Sequence, residues 1–145
     1  MLDIFDTMNI SASGMTAQRF RLDVISNNIA NAETTRGENG EPYRRKTVVF
    51  SEVLRDALGK SQYNSIEDLN GVEVSRVAED MRPFKMVYDP SHPDADGEGY
   101  VKMPNVNVMR EMVDLIGAQR AYEANVSSIN ATKAFANAAL RIGRG

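Results

Sequence analysis

The sequence predicts a mainly α-helical chain with a small β-containing middle, an α+β fold in which long N- and C-terminal helices pack as a coiled-coil-like pair. Three observations carry this. All five prolines (Pro42, Pro83, Pro90, Pro93 and Pro104) lie between residues 42 and 104. Proline removes a backbone donor and clashes with the preceding turn, so only the proline-free flanks are open to long helices. In the C-terminal flank a strict 4-3 walk from Val108 visits Met112, Leu115, Gln119, Tyr122, Val126, Ile129, Lys133, Ala136 and Leu140, apolar or Tyr at eight of ten positions, which is a heptad seam. Between the flanks, short β-branched and aromatic runs alternate with Gly and Asn turn signals. The chain therefore divides into an N-terminal helix (1–34), an extended, β-containing middle (35–104) and a C-terminal helix (105–145).

The N-terminal helix repeats apolar residues more loosely, at Met8, Ala12, Met15, Leu22 and Ile29, with Ile25 and Ala32 widening the stripe. Gly14 and Gly117 each cost a helix interior about 1 kcal/mol relative to Ala, which suggests close approach of another backbone or a local break. In the middle, residues 48–54, 72–77, 84–88 and 100–103 read as strands, with Gly37, Gly40, Asn70-Gly71 and Gly97 as turns; 59–70 is polar and gives no assignment. Eight alanines among residues 105–145 keep the second helix narrow enough for tight neighbours.

Length and composition bound the function. The chain has 145 residues, 42% of them hydrophobic, about one domain's worth. Yet a helix over residues 105–142 would be roughly 57 Å long, against a radius of gyration near 15 Å for a compact domain of this size. Apolar positions along the two stripes return less than the ordering of both flanks costs, so the helices are expected to be completed by neighbouring subunits.

A net charge of −3, from 17 basic and 20 acidic residues, argues against a nucleic-acid binder that relies on a strong positive field. Residues 1–34 carry two basic and four acidic groups and residues 105–145 carry five and three, a mild complementarity between the flanks. Without cysteine there is no disulfide, zinc-thiolate or thiol chemistry, and the single histidine, His92, has no partner for a multi-histidine metal site. No stretch approaches the roughly 18 apolar residues of a membrane span. Asp3 and Asp6 stand where a secretory leader would be basic, so the chain is expected to be cytoplasmic or exported without a cleaved leader.

The most site-like segment is the acidic loop 89–98. Aligning Gly97 with the invariant glycine of a calcium loop puts His92 at the first ligand position and Met103 at the twelfth, where a bidentate Glu is required. The loop reads as structural. Ser91, His92 and Asp89 or Asp94 crowd into it without a nucleophile elbow or an oxyanion hole, so they do not make a hydrolytic triad. Arg44-Arg45-Lys46 reads as a solvated strand end, with an anionic partner surface as the second reading. Asn125-Val126-Ser127 and Asn130-Ala131-Thr132 match glycosylation sequons by chance on a helix. No P-loop or dinucleotide fingerprint is present and nothing needs a cofactor.

Two runs, Ser11-Ala12-Ser13-Gly14-Met15-Thr16-Ala17-Gln18-Arg19 and Leu22-Asp23-Val24-Ile25-Ser26-Asn27-Asn28-Ile29-Ala30-Asn31-Ala32-Glu33-Thr34-Thr35, resemble the N-terminal signature of bacterial flagellar rod and hook axial proteins. Glu111-Met112-Val113 and Gln119-Arg120-Ala121-Tyr122-Glu123-Ala124-Asn125 are similar to the C-terminal element of that family. Tyr88-Asp89-Pro90-Ser91-His92-Pro93-Asp94-Ala95-Asp96, Gly99-Tyr100-Val101 and Pro104-Asn105-Val106-Asn107 look like the hallmark of its C-type proximal rod branch. Ser91 stands where a glycine is expected, and Gly117 where Ala or Ser is commoner.

The resemblance implies a non-enzymatic structural subunit without cofactors, metal or membrane insertion. Such subunits leave through the flagellar type III export apparatus without leader cleavage and polymerise helically into a hollow drive shaft, the rod spanning the periplasm. Their terminal regions are disordered in the monomer and fold on assembly. The implied partners are copies of itself and other rod proteins: proximal rod subunits, the distal rod and the rod-to-MS-ring adaptor. Met8, Met15, Leu22, Ile29, Met112, Leu115, Tyr122, Val126 and Ile129 then form the subunit-packing seam. Asn28 and Asn31 either cap the first helix or make inter-subunit polar contacts. The alternatives are a cytoplasmic coiled-coil regulatory protein, discretely dimeric, and a peptidoglycan-acting enzyme, which would need a cleft with paired carboxylates.

Overall fold

The computed structural model describes residues 4–37, 39–54 and 69–143. Helix α1 spans Ile4–Ala30, strands β1 to β4 span Lys46–Leu54, Leu69–Glu79, Lys85–Tyr88 and Tyr100–Met103, and helix α2 spans Val108–Ile142. The chain is thus α+β and mainly helical, as its sequence predicts. The polar stretch 59–70 lies largely outside the described residues.

The helices pack antiparallel. Ser11 meets Ser128 at 3.3 Å, Gly14 faces Asn125, and Arg21 reaches Asp114 at 3.7 Å. A Cβ at Gly14 would come within 3.0 Å of the Asn125 side chain, so this glycine permits the approach its position suggests. At Gly117 a Cβ would meet nothing within 4 Å, and the residue does not break α2, which runs 35 residues without interruption. Asn107 caps α2, its side chain accepting from the Arg110 N–H at 3.1 Å. α1 stops at Asn31, whose side-chain and backbone N–H groups both return to the Asn27 carbonyl.

Strands β1 and β2 pair antiparallel, as do β3 and β4, in two separate two-stranded sheets. Two-stranded ribbons are marginal alone, and β1–β2 is held against α1. Asn70-Gly71, expected as a turn, instead lies inside β2. There the register shifts between Glu52 and Leu54, a bulge, and Gly71 adopts φ +104°. A Cβ on it would sit 2.1 Å from the Ser13 hydroxyl, which accepts from the Val72 N–H at 3.1 Å. Glycine is there so that α1 can touch the strand.

Candidate functional site

Among the described residues the buried apolar ones are few: Ala17, Ile25, Val101, Pro104 and Ala118. Three polar residues are as deep: Ser11, Asn28 and Glu111. A buried carboxylate is costly unless it is paired and fully hydrogen-bonded, and the partners of Glu111 define the centre of the molecule. Asn28, in the last turn of α1, donates its amide to Glu111 Oε2 at 2.9 Å and to the Lys46 carbonyl at 2.8 Å. Its Oδ1 accepts from the Lys46 N–H and the Tyr43 hydroxyl, both at 2.9 Å. One asparagine thereby acts as a strand partner for the start of β1 and as a ligand for α2.

Arg45 completes the clasp. Its Nε donates to Glu111 Oε1 at 2.6 Å, and its guanidinium lies 3.5 Å from Asp114 and 3.9 Å from Asp80. The Arg45 backbone N–H donates to Asn105 Oδ1 at 2.8 Å, while the Asn105 amide donates to the carbonyls of Asp80 (2.8 Å) and Arg82 (3.1 Å). The end of α1, the start of β1, the end of β2 and the start of α2 therefore meet through side chains. Burial pushes the Tyr43 hydroxyl up, with the Glu111 and Glu79 charges adding to it. The Arg82 hydrogen bond holds Asp80 down at about 2, against a usual 3.8.

Sequence reasoning misses most of this cluster. Arg44-Arg45-Lys46 is expected to be solvated, but only Lys46 is exposed. The Arg45 side chain is 15% exposed among carboxylates, and Arg44 stacks 4.2 Å above the Phe84 ring. A charge run does not reveal which member turns inward. The available signal is Glu111 itself, a carboxylate set among Val108, Met109, Met112 and Val113. Asn28 is spent inside the chain; Asn31 bonds Asn27 and Thr34 at the helix end.

The apolar stripes sit differently from the helix–helix contact. The buried residues of α2 are Glu111 and Ala118, and those of α1 are Ser11, Ala17, Ile25 and Asn28. Ser11, Asn28, Glu111 and Ala118 each stand one residue before a position of the stripes read from apolar spacing, whereas Ile25 belongs to the N-terminal stripe itself. Met8, Met15, Leu22, Ile29, Leu115, Tyr122, Val126 and Ile129 are only half-buried and Met112 is 50% exposed. Small and paired polar residues fill the intramolecular contact, so the greasier ones flank it. Beside them Met109, Val113, Ile116, Phe135, Leu140 and Ile142 are exposed.

The acidic loop is tied down by its own chain. Asp94 accepts from Thr35 at 2.8 Å and pairs with Arg36, and these contacts hold its carboxyl below the usual range, Thr35 most strongly. Asp89 is lowered likewise by the Ser91 hydroxyl. Among the described residues no group of three His, Asp or Glu is placed to hold a metal ion.

Known proteins match at both helices and along the whole chain. Residues 8–36 match the family described as flagella basal body rod protein, and residues 98–142 match the flagellar basal body rod FlgEFG protein C-terminal family. The flagellar basal-body rod protein FlgC of Bacillus subtilis (strain 168) is 49% identical, over 97% of this chain and 98% of the relative. That of Borreliella burgdorferi is 44% identical over 99% and 100%, and that of Escherichia coli O157:H7 is 43% identical over 99% and 98%. The two family matches span the two helices that the clasp joins.

Proposed function

The chain belongs to the FlgC family of flagellar basal-body rod proteins, structural components of the rod, and from that premise we propose that its copies polymerise helically into the hollow shaft that transmits motor torque. One observation supports the reading: Met109, Met112, Val113, Ile116, Phe135, Leu140 and Ile142 along α2 are exposed and not covered by the chain's own helices. Exposed apolar surface of this extent on two adjacent helices marks an interaction face. Torque then passes as shear between interlocked helices, and no side chain performs a chemical step.

In this reading the seam of Met8, Met15, Leu22, Ile29, Met112, Leu115, Tyr122, Val126 and Ile129 packs both within and between subunits, and Asn31, bonded to Asn27 and Thr34 in its own chain, reaches a neighbour by exchanging one of those bonds. The middle strands pack laterally. The subunit passes through the flagellar type III export apparatus without a cleaved leader and takes its place in the rod across the periplasm, against other proximal rod subunits, the distal rod and the adaptor to the MS ring.

Leu115→Asp and Tyr122→Asp test this directly. Each should abolish rod assembly and swimming while export into the medium continues. Normal swimming by both variants would overturn the seam. A discrete, stable dimer by sedimentation, with no incorporation into basal bodies, would favour the coiled-coil regulator instead.

A further inference from the structure

The single histidine of the chain, His92, lies outside the clasp and the helix pair, yet the loop 89–98 is folded around it. Its Nδ1 accepts from the Asp94 N–H at 3.1 Å. A backbone N–H can only donate, so this bond exists only while Nδ1 carries no proton and the ring is neutral, its proton on Nε2. The His92 backbone is tied into the same turn: its N–H donates to the Asp89 carbonyl at 3.2 Å and its carbonyl accepts from the Ala95 N–H at 3.1 Å.

That turn places Asp94, and Asp94 holds the loop to a distant part of the chain. Its Oδ2 accepts from the Thr35 hydroxyl at 2.8 Å and its Oδ1 from the Arg36 guanidinium at 2.5 Å. Beside this contact a crevice of about 330 Å³ runs between the loop and residues 35–42. The position of one backbone N–H, bonded to a titratable ring, therefore governs a contact that spans almost sixty residues of sequence.

We propose that His92 is a proton-controlled latch: the neutral ring holds the turn that docks Asp94 on Thr35 and Arg36, and protonation opens the turn and loosens the loop from that segment. The inference needs no other subunit and is independent of the rod reading. On protonation Nδ1 becomes a donor, the Asp94 N–H loses its acceptor, and the ring turns toward a carboxylate. The charged groups around it are Asp89 and Asp94 of its own loop and Arg36 of the segment opposite, with Asp96 and Lys102 lining the crevice. Whichever carboxylate the new donor takes, Nδ1 no longer supports residue 94, and a positive ring beside Asp94 competes with Arg36 for it.

The ordinary imidazole midpoint, about 6.5, lies far above that of carboxylates. Between pH 7.5 and pH 5.0 the carboxylates stay ionised, so a change over that interval reports the ring. Amide exchange of the full-length chain, corrected for the intrinsic rate at each pH, reads the latch directly. Protection of the Asp94 N–H should fall about tenfold at pH 5.0, while the amides of α2 beside Glu111 keep theirs.

Two variants separate the ring's proton from its bulk. In His92→Asn the side-chain carbonyl stands where Nδ1 does and accepts from the N–H two residues on, as Asp89 and Asp96 do in this loop for Ser91 and Glu98. It does not titrate, so Asp94 should stay protected at both pH values; in His92→Ala it should be unprotected at both. Equal protection at pH 7.5 and 5.0 in the unsubstituted chain overturns the latch. So does a loss at pH 5.0 that persists in His92→Asn, or full protection in His92→Ala.

Discussion

The two ends of the helix pair are built on opposite principles. At the end nearest the strands, every buried polar group of the clasp finds its partner within the chain: Asn28, Glu111 and Arg45 bond one another and the start of β1. At the far end Phe5, Phe135, Leu140 and Ile142 are 67–82% exposed. Satisfied polar networks fix one geometry because a half-made one is so costly, whereas exposed apolar side chains accept whatever surface covers them. The clasp fixes how α1, α2 and the strands are oriented within the chain, and the far end is left exposed. Amide hydrogen exchange of the free chain should therefore be slow around residues 24–30 and 111–121 and fast over 130–142.

Breaking the clasp should have the largest effect. Glu111→Ala removes the fully buried acceptor of both Asn28 and Arg45. Losing one partner of a buried pair costs about 3–5 kcal/mol, and the lower figure applies because Arg45 keeps Asp114 and Asp80 within reach. Amide protection beside the clasp should fall about a hundredfold, erasing the contrast between the two ends. Unchanged protection would mean that the clasp orients nothing.

Gly71→Ala comes next. The new Cβ would lie 2.1 Å from the Ser13 hydroxyl at a φ of +104°, so either α1 or β2 must give way, at about 1–3 kcal/mol. Adding Ser13→Gly should recover the steric part of the loss and leave the backbone strain, a non-additive cycle readable from urea midpoints.

A smaller effect appears only in acid. Arg82 holds the Asp80 carboxyl at about 2 against 3.8, so the folded state favours the charged form. The resulting stabilisation is fully present above about pH 4 and is lost as pH falls through about 2. Urea midpoints should decline over that window and decline less steeply in Asp80→Asn. Asp89 and Asp94, also held low, should keep some slope in the variant.

What is legible in the sequence follows the same divide. The two helices can be read from proline placement and periodicity, because long regular elements repeat their signal many times, and the span of β4 from a short run between turn-rich segments. Asn70-Gly71 looks like a turn because the pair's local chemistry is that of a turn; its use at a bulge depends on Ser13, more than fifty residues away. The clasp is illegible for a related reason. Arg45 and Glu111 are ordinary charges until the fold brings them together, and no local pattern tells a buried arginine from its solvated neighbours. Apolar spacing finds the greasy stripes but not the residues at the closest approach of the helices, because that packing uses Ala118, Gly14 and paired polar groups.

Phe135→Ser should do least to the free chain and thereby sharpen the comparison most. Phe135 is 69% exposed on α2, level with the described start of α1, so removing its ring exposes no cavity and orphans no polar group. Its effect on the urea midpoint should stay within about 0.5 kcal/mol. In the rod the same ring would be covered by a neighbour, where burying a phenylalanine contributes about 1.5–3 kcal/mol. Incorporation into basal bodies should therefore fall roughly tenfold or more while stability is unchanged. Glu111→Ala would lower both together. A matched loss of stability in Phe135→Ser would mean that the far end is held by its own chain, and the contrast between a self-satisfied base and an open tip would disappear.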